Sequence, residues 1–158
     1  MHMPSKPETR VQELHLTLPP VPKPVAKYKT AVRVGNILYV SGHGPLKADK
    51  SLITGKVGKD LNLEEGKAAA RQVGLAILST VQASLGSLDK VTRLIKTLGL
   101  VNCTDDYKDQ PQVINGFSEL MADVFGEEAG VGARSAVGTN SLPGNISVEI
   151  ECIFEVTD

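Results

Sequence analysis

The 158-residue chain has no tryptophan, three phenylalanines and three tyrosines, so aromatic rings supply little of its interior. Its core must be built from Val, Ile, Leu and Ala within a 41% hydrophobic content. The same scarcity removes the stacking platform on which single-stranded nucleic-acid binders lay their bases. An excess of one charge is missing too: 17 basic residues stand against 18 acidic ones, a net charge of −1, with no block of like sign. A general nucleic-acid binder would carry a basic footprint, and none is present. No apolar run reaches the length of a bilayer span and no secretory leader is expected. Cysteine is scarce as well. Cys103 and Cys152 lie far apart without metal-ligand spacing, which points to reduced thiols and a cytoplasmic protein rather than a disulfide framework. His2 and His15 have no clustered ligands around them and no metal set is visible, so no metal is expected. Thr54-Gly55-Lys56 lacks the full spacing of a phosphate loop and reads as a turn, so no cofactor is expected either.

What is there fits one domain with one core. Residues Glu8 to Leu18 place Val11, Leu14 and Leu18 at helical spacing. Leu18-Pro19-Pro20-Val21-Pro22-Lys23-Pro24 then forces an extended strap, either a plain entry linker or a lid or tether across a neighbouring surface. Residues 1–27 are therefore read as an N-terminal arm and 28–158 as the domain.

Within the domain, Tyr28 to Val34 and Ile37 to Ser41 read as strands joined at Gly35-Asn36. Asn62 and Glu65 stand in a capping-box relation. The helix they open puts Ala69, Val73, Ala76, Ile77 and Val81 on one face and stops at Gly86. Val91 to Asn102 is a long strand, apolar in places on both sides, hence central. Pro111 starts a second helix, with Val113, Ile114, Phe117, Leu120, Met121, Val124 and Phe125 inward, ended by Gly126. Two strands close the chain, the last alternating Val148, Ile150, Cys152, Phe154 and Val156 against Glu149, Glu151, Ile153 and Glu155. The order predicts an α+β sandwich, a mixed sheet with two helices on one face. The other face is too apolar to stay wet and is best buried against further copies of the chain.

Ala133-Arg134-Ser135-Ala136-Val137-Gly138, then Leu142-Pro143-Gly144-Asn145, then Val148-Glu149-Ile150-Glu151 read as strand, tight turn and strand, with Arg134 and Glu149 as a cation and an acceptor near each other. This closing stretch resembles that of the YjgF-like, or Rid (reactive-intermediate deaminase), family. The chain shares further stretches with that family: Tyr39-Val40-Ser41-Gly42 with Gly44-Pro45, Leu85-Gly86-Ser87-Leu88, and Val113-Ile114-Asn115-Gly116. The resemblance runs from about Tyr28 to Val156 and is to the branch named as YjgF/chorismate-mutase-like endoribonucleases.

That resemblance implies a homotrimer with a central barrel-like core, helices outside and clefts between subunits. It implies hydrolysis of 2-imino or enamine acids to 2-keto acids and ammonia. Arg134 would grip the substrate carboxylate and Glu149 would hold the attacking water. Tyr28, Ser41, Gly42, Asn115 and the backbone at Ala136 would line the cleft. His43, where the family commonly has glutamine, is a further candidate as a proton carrier. The chain has Ala136 where many of the family's imine deaminases have cysteine, and Gly132 where members of the resembled branch often have histidine. Two other readings stand beside the enzyme: a binding protein for small keto acids, and an endoribonuclease, which the missing basic groove disfavours.

Overall fold

In the computed structural model, residues 5–158 are described. The elements run α1 (Pro7–Glu13), β1 (Ala31–Val34), β2 (Ile37–His43), α2 (Leu63–Leu85), β3 (Val91–Asn102), α3 (Gln110–Ala129), β4 (Ala133–Thr139) and β5 (Val148–Val156). One five-stranded mixed sheet has the order β1-β2-β5-β3-β4. β3 and β4 pair in parallel, and the other neighbours pair antiparallel.

That order corrects the reading of the closing stretch as a hairpin. β4 and β5 follow each other in sequence but do not pair: β5 is inserted between β2 and β3, and β4 becomes the outer neighbour of β3. The middle strand is therefore β5 rather than β3, although β3 still has a partner on each side. Strand alternation reports which face a residue occupies, and it says nothing of which strand lies alongside.

The two long helices start and stop where local chemistry places them. Asn62 and Glu65 exchange side-chain and backbone hydrogen bonds at 2.8 and 3.1 Å, closing a capping box on α2, and Gly86 ends it in the left-handed region at φ 85°. α3 carries Pro111 in its first turn, and its regular path breaks at Gly126 (φ 92°) before one further turn to Ala129. Ala69, Val73, Ala76, Ile77 and Val81 of α2 are fully buried, as are Val113, Ile114, Phe117, Leu120 and Met121 of α3. Both helices lie on the sheet face formed by Val148, Ile150, Cys152, Phe154 and Val156, where Phe125 and Phe154 meet at 5.9 Å between ring centres. Cys103 and Cys152 are buried and unpaired.

The helices number three among the described residues rather than two, because the arm contributes α1. Val11 of α1 is 8% exposed and belongs to the core, and Leu14, Leu16 and Leu18 pack against it. The Glu8 carboxylate accepts from the Leu88 amide at 2.7 Å and from Gln82 Nε2, tying α1 to the α2–β3 connection. The strap docks where Ser79 Oγ donates to the Pro19 carbonyl, and Val25 beyond it is 93% exposed. Tyr28 is not in a strand, since β1 begins at Ala31. His2 lies outside the described residues.

The opposite sheet face has no element over it among the described residues. Val32, Val34 and Tyr39 lie there on one side, at 46%, 62% and 49% exposure, and Val137 on the other at 44%.

The helix pair rests on glycine at its closest point. A Cβ on Gly116 would lie 2.0 Å from the Lys67 carbonyl oxygen of α2, a contact with rigid backbone. Alanine normally favours a helix over glycine by about 1 kcal/mol, but here the forced separation dominates. Gly116→Ala should therefore lose about 3 kcal/mol or more, read as a lower urea midpoint. Gly86→Ala, which meets no atom within 4 Å but sits at φ 85°, should lose only about 1 kcal/mol. Equal losses in the two variants would contradict the close-packing account.

Candidate functional site

Arg134 sits at the start of β4, opposite Thr97 of β3, and its side chain runs to the helix side of the sheet. There Nη1 donates to Asn115 Oδ1 at 2.8 Å and to Ser118 Oγ at 3.1 Å, while Nη2 makes a long 3.4 Å contact with the Pro111 carbonyl. Asn115 and Ser118 are three apart on α3, so both reach the same place. All three acceptors are neutral. No carboxylate pairs with Arg134 among the described residues. Ala136, two residues along β4, faces the same way and packs against the core.

Glu149 lies elsewhere. It pairs with Leu100 at the start of β5 and points to the uncovered face, whereas the Arg134 partner Thr97 is three residues away on β3 and buried towards the helices. Two strand spacings and three residues of rise separate the two backbones by roughly 14 Å, and the side chains leave on opposite faces. The expected cation–acceptor pair is not formed within one chain. The Glu149 carboxylate instead rests against Gly42: a Cβ there would fall 2.3 Å from Oε2, so a larger residue would displace the carboxylate. Partial burial, reinforced by the neighbouring charge of Glu151, raises the Glu149 carboxyl above the usual carboxylate range.

Ser41 joins this second group. Its amide donates to the Thr30 carbonyl and its hydroxyl to the Lys29 carbonyl, which anchors the chain just after Tyr28. Tyr28 itself is 42% exposed. Beside Ser41, a shallow hollow on the uncovered face is lined by Tyr39, Lys96, Leu98, Glu151 and Ile153. Lys96 Nζ donates to Ser135 Oγ at 3.1 Å.

The sequence-predicted residues thus fall into two groups. Arg134, Asn115 and Ala136 stand at the β4 edge under α3; Glu149, Gly42, Ser41 and Tyr28 stand on the β2–β5 side.

His43 belongs to neither. It is 5% exposed, with Nδ1 2.6 Å from the Ser41 carbonyl and Nε2 2.7 Å from Thr80 Oγ1. A carbonyl can only accept, so Nδ1 carries the proton and Nε2 accepts from the threonine hydroxyl. Both ring nitrogens are spent inside the core, the geometry of a bracket between β2 and α2 and not of a free proton carrier. Sequence reasoning missed Thr80 and Ser118. Thr80 gave no signal, but the spacing of Ser118 from Asn115 on a helix with a known inward face did mark it. No group of His, Cys, Asp and Glu fit to hold a metal occurs among the described residues.

Residues 8–155 match the family described as "YjgF/chorismate_mutase-like, putative endoribonuclease". Protein TCP17 of Trypanosoma cruzi is 39% identical over 148 residues, covering 94% of this chain and 92% of its own length. A 2-iminobutanoate/2-iminopropanoate deaminase of Dermatophagoides farinae is 28% identical over 142 residues, covering 89% of this chain and 94% of its own. Among solved structures, a protein of unknown function from Agrobacterium tumefaciens superposes with a TM-score of 0.87 at 43% identity, covering 96% of this chain and 92% of that one. Among the described residues, no helix is long and apolar enough to cross a membrane.

The buried histidine gives a pH dependence whose sign is fixed. Burial, partly offset by the Ser41 carbonyl, lowers the His43 pKa below its ordinary 6.5, so the unfolded chain binds the proton more readily than the folded one. Stability should be full above pH 6.5 and fall as pH drops, by at most about 1.4 kcal/mol per pH unit. Glu149 acts with the opposite sign in the acid range, because its folded-state pKa is raised. The His43 contribution is therefore the difference between wild type and His43→Gln in urea midpoints from pH 7.5 to 5. Parallel curves for the two proteins would remove His43 as the titrating group.

Proposed function

We propose, for a chain that belongs to the YjgF/chorismate-mutase-like (Rid) family, hydrolysis of small 2-imino acids, or their enamine tautomers, to 2-keto acids and ammonia. The observation that carries this reading is the Arg134 guanidinium, half-buried, held by neutral acceptors and lacking a carboxylate partner among the described residues. A fixed planar cation with an unspent charge is suited to a carboxylate, which it can meet with two parallel hydrogen bonds. The deaminase named for the Dermatophagoides relative supports the same substrate class.

In the reaction, water adds to the carbon of the protonated imine to give a carbinolamine, which expels its nitrogen as the C=O bond forms. The sum is C=NH2⁺ plus H2O giving C=O plus NH4⁺. Arg134 holds the carboxylate and Asn115 steadies the adjoining oxygen. Backbone groups at Ala136 orient the nitrogen. Glu149, its pKa raised by burial and by Glu151, holds the water and takes its proton. Tyr28 and the Ser41-Gly42 backbone close the side of the cleft next to Glu149. Imines hydrolyse readily, so positioning in a preorganised site suffices.

This chemistry needs Arg134 and Glu149 across one cleft, and a single chain separates them. We therefore propose a homotrimer in which the arginine group of one copy faces the glutamate group of the next. The uncovered, partly apolar sheet faces then form the central barrel-like core. Exposed Val32, Val34, Tyr39 and Val137 support this assembly, since such a patch is costly to leave in water. Unpaired Cys103 and Cys152 fit a reducing compartment such as the cytoplasm.

Ala136 favours a second reading. It offers no side-chain donor or nucleophile beside Arg134, which suits a cleft that holds a keto acid without turning it over. Ammonia release separates the two.

The test supplies freshly generated 2-iminobutanoate and follows ammonia release, with 2-oxobutanoate affinity measured alongside. Arg134→Lys keeps the charge and loses the fork, and each charge-assisted bond contributes about 1.5–3 kcal/mol. Affinity should therefore fall roughly tenfold to a hundredfold, and further in Arg134→Ala, with little change in melting temperature. Equal turnover and affinity in all three would sink the reading. Light scattering should give three times the 16.8 kDa chain mass. A stable monomer at micromolar concentration would overturn the shared cleft.

A further inference from the structure

We infer that Ser118 is a positioning residue that, together with Asn115, decides which edge of the Arg134 guanidinium is offered to ligand. The inference rests on the carboxylate-binding reading above and deepens it. An arginine has five N–H donors in a fixed plane. Both donors of Nη1 are taken, one by Asn115 Oδ1 at 2.8 Å and one by Ser118 Oγ at 3.1 Å, and Nη2 spends one on the Pro111 carbonyl at 3.4 Å. What remains is the Nε–H and one N–H of Nη2. Those two groups share the edge of the guanidinium opposite Nη1, where they can point in parallel, and the spacing of that fork matches the two oxygens of a carboxylate.

The serine is the part that makes this a fixed geometry. Without it, the guanidinium would be held through one N–H of Nη1 and the long 3.4 Å contact of Nη2 with Pro111, which sets its plane only loosely. A second acceptor, one helical turn further along α3, fixes the plane as well as the position. Because both acceptors come from the same helix, the guanidinium is referenced to α3 and not to the outer strand that carries it. The same arrangement blocks an end-on approach through the paired Nη1 and Nη2 groups, since the Nη1 hydrogens are already used. The ligand class it favours is a planar carboxylate arriving side-on, with its 2-imino or 2-keto carbon carried past Asn115, whose amide nitrogen donates to no other group among the described residues. The Ser118 hydroxyl accepts from Arg134 and keeps its own proton to donate.

The experiment titrates 2-oxobutanoate calorimetrically into wild type, Ser118→Ala, Ser118→Thr, Arg134→Lys, Arg134→Ala and the Ser118→Ala/Arg134→Lys double variant. Ser118→Ala should weaken binding about five- to tenfold without lowering the melting temperature, because alanine suits a helix interior. Ser118→Thr, which keeps the hydroxyl, should return affinity to within about twofold of wild type. In the Arg134→Lys background, where there is no fork to orient, the serine change should have no further effect. Wild-type affinity in Ser118→Ala, no rescue by threonine, or an undiminished effect of the serine change on the lysine background would each overturn the inference. Arg134→Ala separates the two levels. If it loses binding while Ser118→Ala does not, only the role of Ser118 falls. If it binds like wild type, the carboxylate-gripping reading falls and takes Ser118 with it.

Discussion

The contact between Gly116 of α3 and the Lys67 carbonyl of α2 sets the rotation of α3 about its own axis, and the chemistry at the sheet edge depends on that rotation. With no side chain at Gly116, the helices approach backbone to backbone, and Val113, Ile114, Phe117 and Leu120 are turned fully into the core. A helix held so closely has little freedom to roll. The residues flanking the buried face are then fixed by geometry. Asn115 and Ser118 come out on the side next to β4, where both meet Arg134. A close-packing feature in the middle of the domain thus places two polar groups at its margin. The same crowding recurs at Gly74 of α2, where a Cβ would lie 2.7 Å from Leu120, and at Gly99 of β3, 2.6 Å from Ile114.

The polar groups that this packing places differ sharply in how their charge is met. Arg134 is held by an amide, a hydroxyl and a carbonyl, which take three of its five N–H donors and leave its charge unmet. Glu149 is the reverse case. It has no cation bridged to it among the described residues, lies partly out of water, and has Glu151 on the same face two residues along, so its ionised form is disfavoured. An unspent cation and a carboxylate with raised proton affinity are what a site for a carboxylate-bearing imine calls for. Within one chain they face apart because β3 lies between β4 and β5 and the two side chains leave opposite faces of the sheet.

Much of this was readable from sequence, for reasons that are local. The Asn62–Glu65 capping box, the left-handed Gly86 and the inward faces of α2 and α3 depend on residues within a few positions of one another, and each stands as the spacing indicates. The alternation of β5 likewise gave its buried and open faces. Adjacency in the sheet was not readable. A strand, a Leu-Pro-Gly-Asn turn and a strand look the same whether the two strands pair or the second crosses over β3, because the deciding contacts are those of β5 with β2 and β3. The candidate site shows the consequence: Arg134 and Glu149 look like neighbours across a turn, but the sheet order sets them on different strands and opposite faces. His43 misled for a related reason. Its residue type suggests proton transfer, and only the Thr80 hydroxyl on α2, 37 positions away, shows both ring nitrogens occupied.

The arm bears on which half of the site each residue belongs to. Its first part is bound to its own domain, through Val11 in the core, the Glu8 carboxylate on the Leu88 amide, and the Pro19 carbonyl on Ser79. It regains the domain at Lys29 and Thr30, whose carbonyls are both taken by Ser41. Between these anchors, residues 23–29 are exposed throughout, with Val25 and Tyr28 presenting apolar surface that nothing in the chain covers among the described residues. Ser41 precedes Gly42, and Gly42 carries the Glu149 carboxylate against its backbone. Tyr28 is thus tethered to the glutamate half of the site and is remote from the arginine half at the far edge of the sheet. In the proposed assembly, a ring closing over a substrate held by one copy's Arg134 would be the tyrosine of the copy that also supplies Glu149. The exposed half of the arm would then be the part of each chain that its neighbour orders.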